Sequence, residues 1–422
     1  MKIGTLLPFF PAETFCPSAN QVLPVVEPYV RARSGAAHGQ RNIYLVTVTA
    51  VSFLCIMVSG GCGVSNGGAA NGGRSKITIP TVFTSPVKIN ALFPPLGPGN
   101  SLWSDFNTYV LVSPILDGVN PGLDWNTVET SQGVYDFSAF DASLQHFYNA
   151  GKTVNIIVRA VSNGGSNSIT PAYVFSSDWS QSLGTAPLDV VTCKDYPGNG
   201  QADSGFPVVY QLPFKAAYQQ FIAAVLAHYA DDPRIGYIRV GLAVGGEVFP
   251  WCSAELPGFS EAIWLSYVGE MNGYEKSLRP ATQLMASLNQ VYVHGSWDQS
   301  YPIDEASSDV SNGQGIGCQG WQESDIQAYA DAEFCTSDWC ALFDQYAGQV
   351  PLELQQAGLS IANGGTKTGS MADMVPFAAA RHATVLEIYV EDLLTAFDPN
   401  WPSYATYGPA YSQAFTSAHS GQ

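Results

Sequence analysis

Glu247, Glu353 and Glu387 each stand in a short apolar run of alternating character, where a carboxyl group can move a proton or attack an electrophilic carbon. The first closes the run Tyr237-Ile-Arg-Val-Gly-Leu-Ala-Val-Gly-Gly-Glu247. Read as a strand, that run puts Val240, Leu242 and Val244 on one face, and Arg239, Gly241, Ala243, Gly245 and Glu247 on the other. By the same parity Glu353 and Gln355 face away from Leu352 and Leu354, while Val385, Glu387 and Tyr389 face away from Leu386 and Ile388. Gln319 and Trp321 share a face of a further run, Gly315–Trp321. Three acids thus point toward one axis. Buried carboxylates are costly unless paired or functional, and Arg159 and Arg239 are the inward cations able to offset them.

Two carboxyl groups across a cleft suit the cleavage of a glycosidic bond. One is protonated and donates to the leaving oxygen; the other is ionised and attacks the anomeric carbon or activates water. Aromatic side chains at loop positions offer faces for sugar rings, and Trp251, Trp297, Trp321 and Trp125 are the candidates. Gln319, Gln355, Tyr389 and Arg159 supply candidate polar contacts to a carbohydrate substrate. Trp264 and Trp339 fall in helical patterns and are expected to pack.

The elements needed to hold these residues alternate from Lys88 onward. Strand-like runs are Lys88–Phe93, Tyr109–Leu116, Thr153–Val158, Tyr237–Glu247, Gln283–Asn289, Gly315–Trp321, Val350–Gln356 and Ala383–Tyr389. Amphipathic helices are expected over Phe137–Gly151, Phe214–Tyr229, Gly258–Leu278 and Met371–Arg381, with mostly helical chain over Glu323–Tyr346. A Ser-, Gly- and Asn-rich insertion runs from Ala160 to Gln211. Strands alternating with helices make an α/β protein, and this number makes a (β/α)8 TIM barrel.

Composition narrows the function. Asp and Glu number 35 against 17 Lys and Arg, a net charge of -18 with no block of like charge, which argues against nucleic acid. No GxSxG elbow for a serine hydrolase occurs within residues 81–422. The 6 His are scattered and no CxxC pair or HExxH occurs, so neither a metal nor a cofactor is expected. Cys335 and Cys340 are close enough in sequence for a local disulfide, Cys193 and Cys252 are a second possible pair, and Cys318 is expected to be a buried thiol.

Leu123-Asp-Trp-Asn-Thr-Val-Glu129, Gly133-Val-Tyr-Asp-Phe137 and Gly151-Lys-Thr-Val-Asn-Ile-Ile-Val158 resemble the W-x-x-(I/V)-E-x-x-x-G-x-(Y/F)-D-(F/W) entry of clan A glycoside hydrolases, the beta-galactosidase and cellulase-like barrels. The resemblance implies an acid/base at the end of the fourth strand, which is Glu247, and a nucleophile near the end of the seventh. Two departures stand out. Gly246 replaces the asparagine usual before that acid, and Gln355 and Gln356 occupy the usual nucleophile positions. The second carboxylate is therefore either Glu387, which is preferred, or Glu353. The alternative is a surface glycan-binding lipoprotein that keeps the barrel without the chemistry.

Ahead of the barrel, Arg31, Arg33 and Arg41 precede the apolar run Tyr44–Val58, which ends at Ser59-Gly-Gly-Cys62. This resembles a bacterial lipoprotein signal with Cys62 as the lipid-bearing residue. The expected organisation is residues 1–61 as extension and signal, 62–80 as a flexible tether, and 81–422 as the catalytic barrel. The length ahead of the basic cluster exceeds a usual signal and suggests a start downstream of Met1. The expected product is an exported monomer, cell-surface or periplasmic, touching membrane only through its lipid.

Overall fold

The computed structural model describes residues 86–162, 167–193, 203–248, 253, 255–278, 280–288, 291–293, 296–298, 301–323 and 339–421. The signal, the tether and Cys62 lie outside the described residues, as do Trp251, Cys252 and Cys335.

Eight parallel strands close into a barrel: β1 Lys88–Leu92, β2 Leu116–Asn120, β3 Thr153–Arg159, β4 Ile235–Val240, β5 Gln283–Leu288, β6 Gly315–Trp321, β7 Leu352–Gln356 and β8 Val385–Tyr389. Their order around the sheet is β2-β1-β8-β7-β6-β5-β4-β3, and pairing of Gly118 with Thr153 and Val119 with Val154 joins the last strand to the first. Pro121 has no N–H to give a ladder. The second strand therefore breaks there and resumes as Gly122–Asp124, whose Asp124 pairs with Arg159.

Around the strands lie helices α1 Ser138–Asn149, α2 Leu212–Tyr229, α3 Glu261–Ser277, α4 Tyr301–Ser311, α5 Trp339–Tyr346, α6 Met371–Ala380, α7 Val390–Phe397 and α8 Tyr404–Ser420. In α2, Phe214, Ala217, Tyr218, Phe221, Ile222 and Val225 are buried at helical spacing, so one stripe faces the sheet. Ile238 and Val240 of β4 belong to the same helix-facing core, whereas Tyr237 packs with Met285 and Val385 inside the barrel. The (β/α)8 barrel expected from the alternating runs is the fold observed.

Three local expectations are corrected. Tyr109–Leu116 is not a strand: Phe106–Val110 forms a helical turn and β2 begins only at Leu116. Phe106, Val110 and Leu111 are buried at helical spacing while Val112 is 69% exposed, and Pro114 then breaks the helix. The fourth strand ends at Val240, not Glu247. The backbone of Gly246 folds directly over Gly241, in the space a side chain would need. Gly245 and Gly246 take positive φ (64° and 87°), and the Glu247 amide donates to Val244 at 2.9 Å. In β6 the pairing slips between Cys318 and Trp321, so Trp321 lies opposite Gln356. An extra residue flips side-chain parity, and Trp321 joins the helix-facing core rather than the face of Gln319.

Between α3 and α4 the fold buries Glu275 and Asp309, and among the described residues no ion pair joins either to a cation. Gln314 donates to Glu275 at 2.9 Å and Asn272 donates to Asp309, yet Glu275 Oε1 and Asp309 Oδ2 have no hydrogen-bond partner. Burial raises both pKa values well above the usual carboxylate range, and the Asp309 charge adds to the rise at Glu275. A folded pKa above the unfolded one means the folded chain holds a proton that the unfolded chain releases first. Stability from this source is full below the unfolded value and falls as pH rises toward the folded one. Glu275→Gln is accordingly expected to melt higher than the parent at pH 8, with the gap closing toward pH 4. Scanning calorimetry across that range checks the sign.

Candidate active site

Arg239 is the hub of the barrel interior. Strand alternation points it inward from β4, and its side chain is 1% exposed. Nη1 pairs with Glu353 of β7 and lies 2.8 Å from Glu387 Oε2 of β8, while Nη2 donates to Gln355 at 2.7 Å. Glu387 also accepts from the Tyr237 hydroxyl at 2.7 Å and from Asn120 Nδ2, and Asn155 Nδ2 donates to Asn120 at 2.9 Å. Five strands thus converge on two carboxyl groups with zero exposure.

One cation between two buried acids leaves a charge unmatched. Glu353 takes up the imbalance: burial, reinforced by the Glu387 charge, lifts its pKa well above the usual range against the pull of Arg239. Burial opposes the charge on Arg239, but Glu353 and Glu387 overcome it and its pKa rises. Burial and the Glu387 charge likewise push the Tyr237 hydroxyl up. Glu353 Oε2 has no partner, nor has Gln319 Nε2. They lie 2.9 and 3.2 Å from the point where a Cβ on Gly317 would stand. Gln319 Oε1 accepts from Ser287.

Glu247 is half-buried on the turn above Arg239, and its charge contributes to holding Arg239 protonated. Glu353 and Glu387 thus pair directly with one guanidinium, and Glu247 acts on it through its charge. Glu247 is the one with surface at the mouth; Glu353 and Glu387 are sealed beneath it.

The mouth lies at the carboxyl ends of the strands, where barrel enzymes keep their chemistry. Arg159 pairs there with Asp124 at 2.5 Å, both partly exposed, and sits 5.8 Å from the centre of the Phe93 ring. Phe93 is 36% exposed and holds φ at 45°, an unusual conformation for a bulky residue. Tyr389 is half-buried at the end of β8, where its amide donates to Gln356 at 2.7 Å. Asn120, Tyr237, Asp124 and Phe93 were not among the sequence candidates. The parity that selects Arg239 also selects Tyr237; the others follow strand breaks or a turn that the pattern does not announce.

Several substrate-contact assignments are corrected. Trp125 is wholly buried, stacks on Phe221 at 5.5 Å and donates to Glu129 Oε2 at 2.5 Å. Glu129 also accepts from the Gly133 amide at 2.7 Å. Burial, then the Glu129 charge, pushes the Tyr135 hydroxyl up to about 12. The W-x-x-V-E-x-x-x-G-x-Y stretch is thus a structural clasp that fixes the loop after β2. Glu129→Ala should cost about 1–3 kcal/mol by leaving Trp125 Nε1 buried and unbonded, with no change in KM for any substrate the protein turns over. Urea unfolding and steady-state kinetics separate the two. Trp321 is also fully buried, and Gln355 is 2% exposed with its Oε1 taken by Arg239, so neither meets solvent at the mouth. Trp297 pairs with Tyr292 in the hairpin Val291–Val293/Ser296–Asp298, and its side chain is outside the described ones. Asp392 accepts from Ser360, Gln356 and Asn363 and ties the loop after β7 to α7. Cys318 is a buried thiol.

Among the described residues no group of three or more His, Cys, Asp or Glu is placed to hold a metal ion. No protein-family model matches the chain, and no curated protein matches it. Solved structures do. The catalytic domain of a beta-amylase from Paenibacillus polymyxa superposes with a TM-score of 0.50 at 11% identity, covering 78% of this chain and 98% of that one. A beta-galactosidase from Marinomonas ef1 (0.44, 12% identity, 79% and 59% coverage) is also similar. So is an endo-beta-1,4-xylanase from Gloeophyllum trabeum (0.43, 11% identity, 79% and 97% coverage). At 11% identity the likeness to the beta-amylase domain shows a shared barrel fold.

Proposed function

We propose that the protein is a glycoside hydrolase acting on oligo- or polysaccharides at the carboxyl-end mouth of the barrel. The observation that carries this reading is the acid group around Arg239: a guanidinium that pairs with Glu353 and Glu387 and feels the charge of partly buried Glu247. Glu247 is the acid/base. Glu387 is preferred as the second carboxylate, because Asn120, Tyr237 and Arg239 all donate to it, an arrangement suited to a carboxylate. Glu353, its pKa raised by burial, serves as its partner. Arg159, Tyr389, Phe93 and Asp124 frame the entrance, with Gln319 and its spare Nε2 deeper in. The barrel shared with the beta-amylase domain supports this assignment by fold.

A second reading is a glycan-binding barrel without catalysis. The zero exposure of Glu353 and Glu387 favours it, since a nucleophile must reach its substrate. Release of reducing ends from a polysaccharide panel decides between them: product supports the hydrolase, and binding without product from any member supports the second. The export signal, with lipid on Cys62, belongs to the same proposal; mass spectrometry of the membrane fraction for a diacylglyceryl-modified peptide beginning at Cys62 tests it.

A further inference from the structure

A cavity of about 420 Å³ lies at the amino ends of the strands, lined among others by Lys88, Asn90, Asn155, Tyr237, Met285 and Val385. Barrel chemistry belongs to the opposite face, and side chains at this end ordinarily close the core. Here they do not. Two glycines help shape the space. A Cβ on Gly236 would collide with Asn155 Oδ1, and one on Gly118 would come within 2.9 Å of Asn90 Oδ1.

The lining has a definite chemistry. Tyr237, Met285 and Val385 pack together as an apolar wall separate from the main core. The polar groups are neutral amides and hydroxyls, and the only charge is Lys88, exposed at the rim. Several of their donors are engaged: Thr153 Oγ1 on Asp117, Thr384 Oγ1 on Leu352, and Asn155 Nδ2 on Asn120. An acceptor is left over. Asn90 is 2% exposed, lines the cavity, and its Oδ1 has no hydrogen-bond partner. A buried unpaired carbonyl is costly, and a ligand hydroxyl removes that cost. The volume falls within the range of small-molecule sites.

We infer that this basal cavity binds a small neutral polyhydroxylated ring of monosaccharide size, donating a hydroxyl to Asn90 and laying its C–H face on Tyr237, Met285 and Val385. The inference does not depend on the hydrolase reading, because the cavity and the mouth are separated by the Tyr237–Glu387–Arg239 layer.

Calorimetric titration of the full mature chain with glucose, galactose and xylose, with glycerol as control, tests it. Saturable binding of at least one sugar is expected, retained in Glu247→Gln and weakened at least tenfold by Asn90→Ala and by Val350→Trp. The second variant fills the cavity from its rim and keeps the test available if the first fails to fold. Absence of binding by every sugar overturns the inference. So does binding that survives in Val350→Trp, or a response to glycerol equal to that for the sugars.

Discussion

Glu247→Gln is expected to lower kcat on a natural glycoside by about 10²–10⁴-fold, the usual contribution of a positioned proton donor, with an unchanged melting temperature. The glutamine keeps the shape of the side chain but has no carboxylic proton to give the leaving oxygen. The loss should depend on the leaving group. An aryl glycoside whose phenolate departs unaided loses little in bond cleavage, whereas an alkyl glycoside loses the full factor. Parallel kinetics on a nitrophenyl glycoside and on an oligosaccharide measure that difference. Equal activity of parent and variant on both substrates removes Glu247 from the chemistry. The turn that carries it is rigid, with its amide on Val244 and its carbonyl accepting from Ala243 at 3.0 Å, so the substitution leaves the backbone anchored.

Much of the scaffold was legible because buried strands and amphipathic helices declare themselves by period. Seven of the eight strand-like runs fall on barrel strands, the eighth touching its strand only at Leu116, and the inward parity of Arg239, Glu353 and Glu387 holds. The failures share one physical cause: period-two reasoning assumes an unbroken ladder. The bulge before Trp321 inverts its face, the break at Pro121 hides Asn120 and Asp124, and the double-glycine turn delivers Glu247 by a fold-back rather than by strand parity. Trp125 was misread for a different reason. A tryptophan spaced four residues before a glutamate looks the same in sequence whether it awaits a sugar or donates to that glutamate, and only burial tells them apart. Arg239 could be named as a cation able to offset the acids, but that one guanidinium serves two carboxyl groups is a fact of three-dimensional convergence.

That sharing predicts the largest effect on stability. Arg239→Met removes the cation that pairs with Glu353 and Glu387 and should destabilise the fold by about 3–5 kcal/mol, the cost of stranding a buried charge. Burial and the Glu387 charge raise the Glu353 pKa, which favours one stranded charge over two. Glu387→Gln in the Arg239→Met background is therefore expected to recover most of the loss, whereas Glu353→Gln recovers little. The single variants order the same way: Glu353→Gln alone is nearly silent, since an amide resembles the protonated acid already present. Arg239→Met should also weaken further as pH rises, because Glu353 then ionises with nothing to balance it. Urea unfolding of the parent, the three single variants (Arg239→Met, Glu353→Gln and Glu387→Gln) and the two double variants at pH 5 and pH 8 gives both cycles. Equal rescue by both glutamines would mean that the two acids share the charge evenly, and an Arg239→Met midpoint matching the parent would show that the network contributes nothing to the fold.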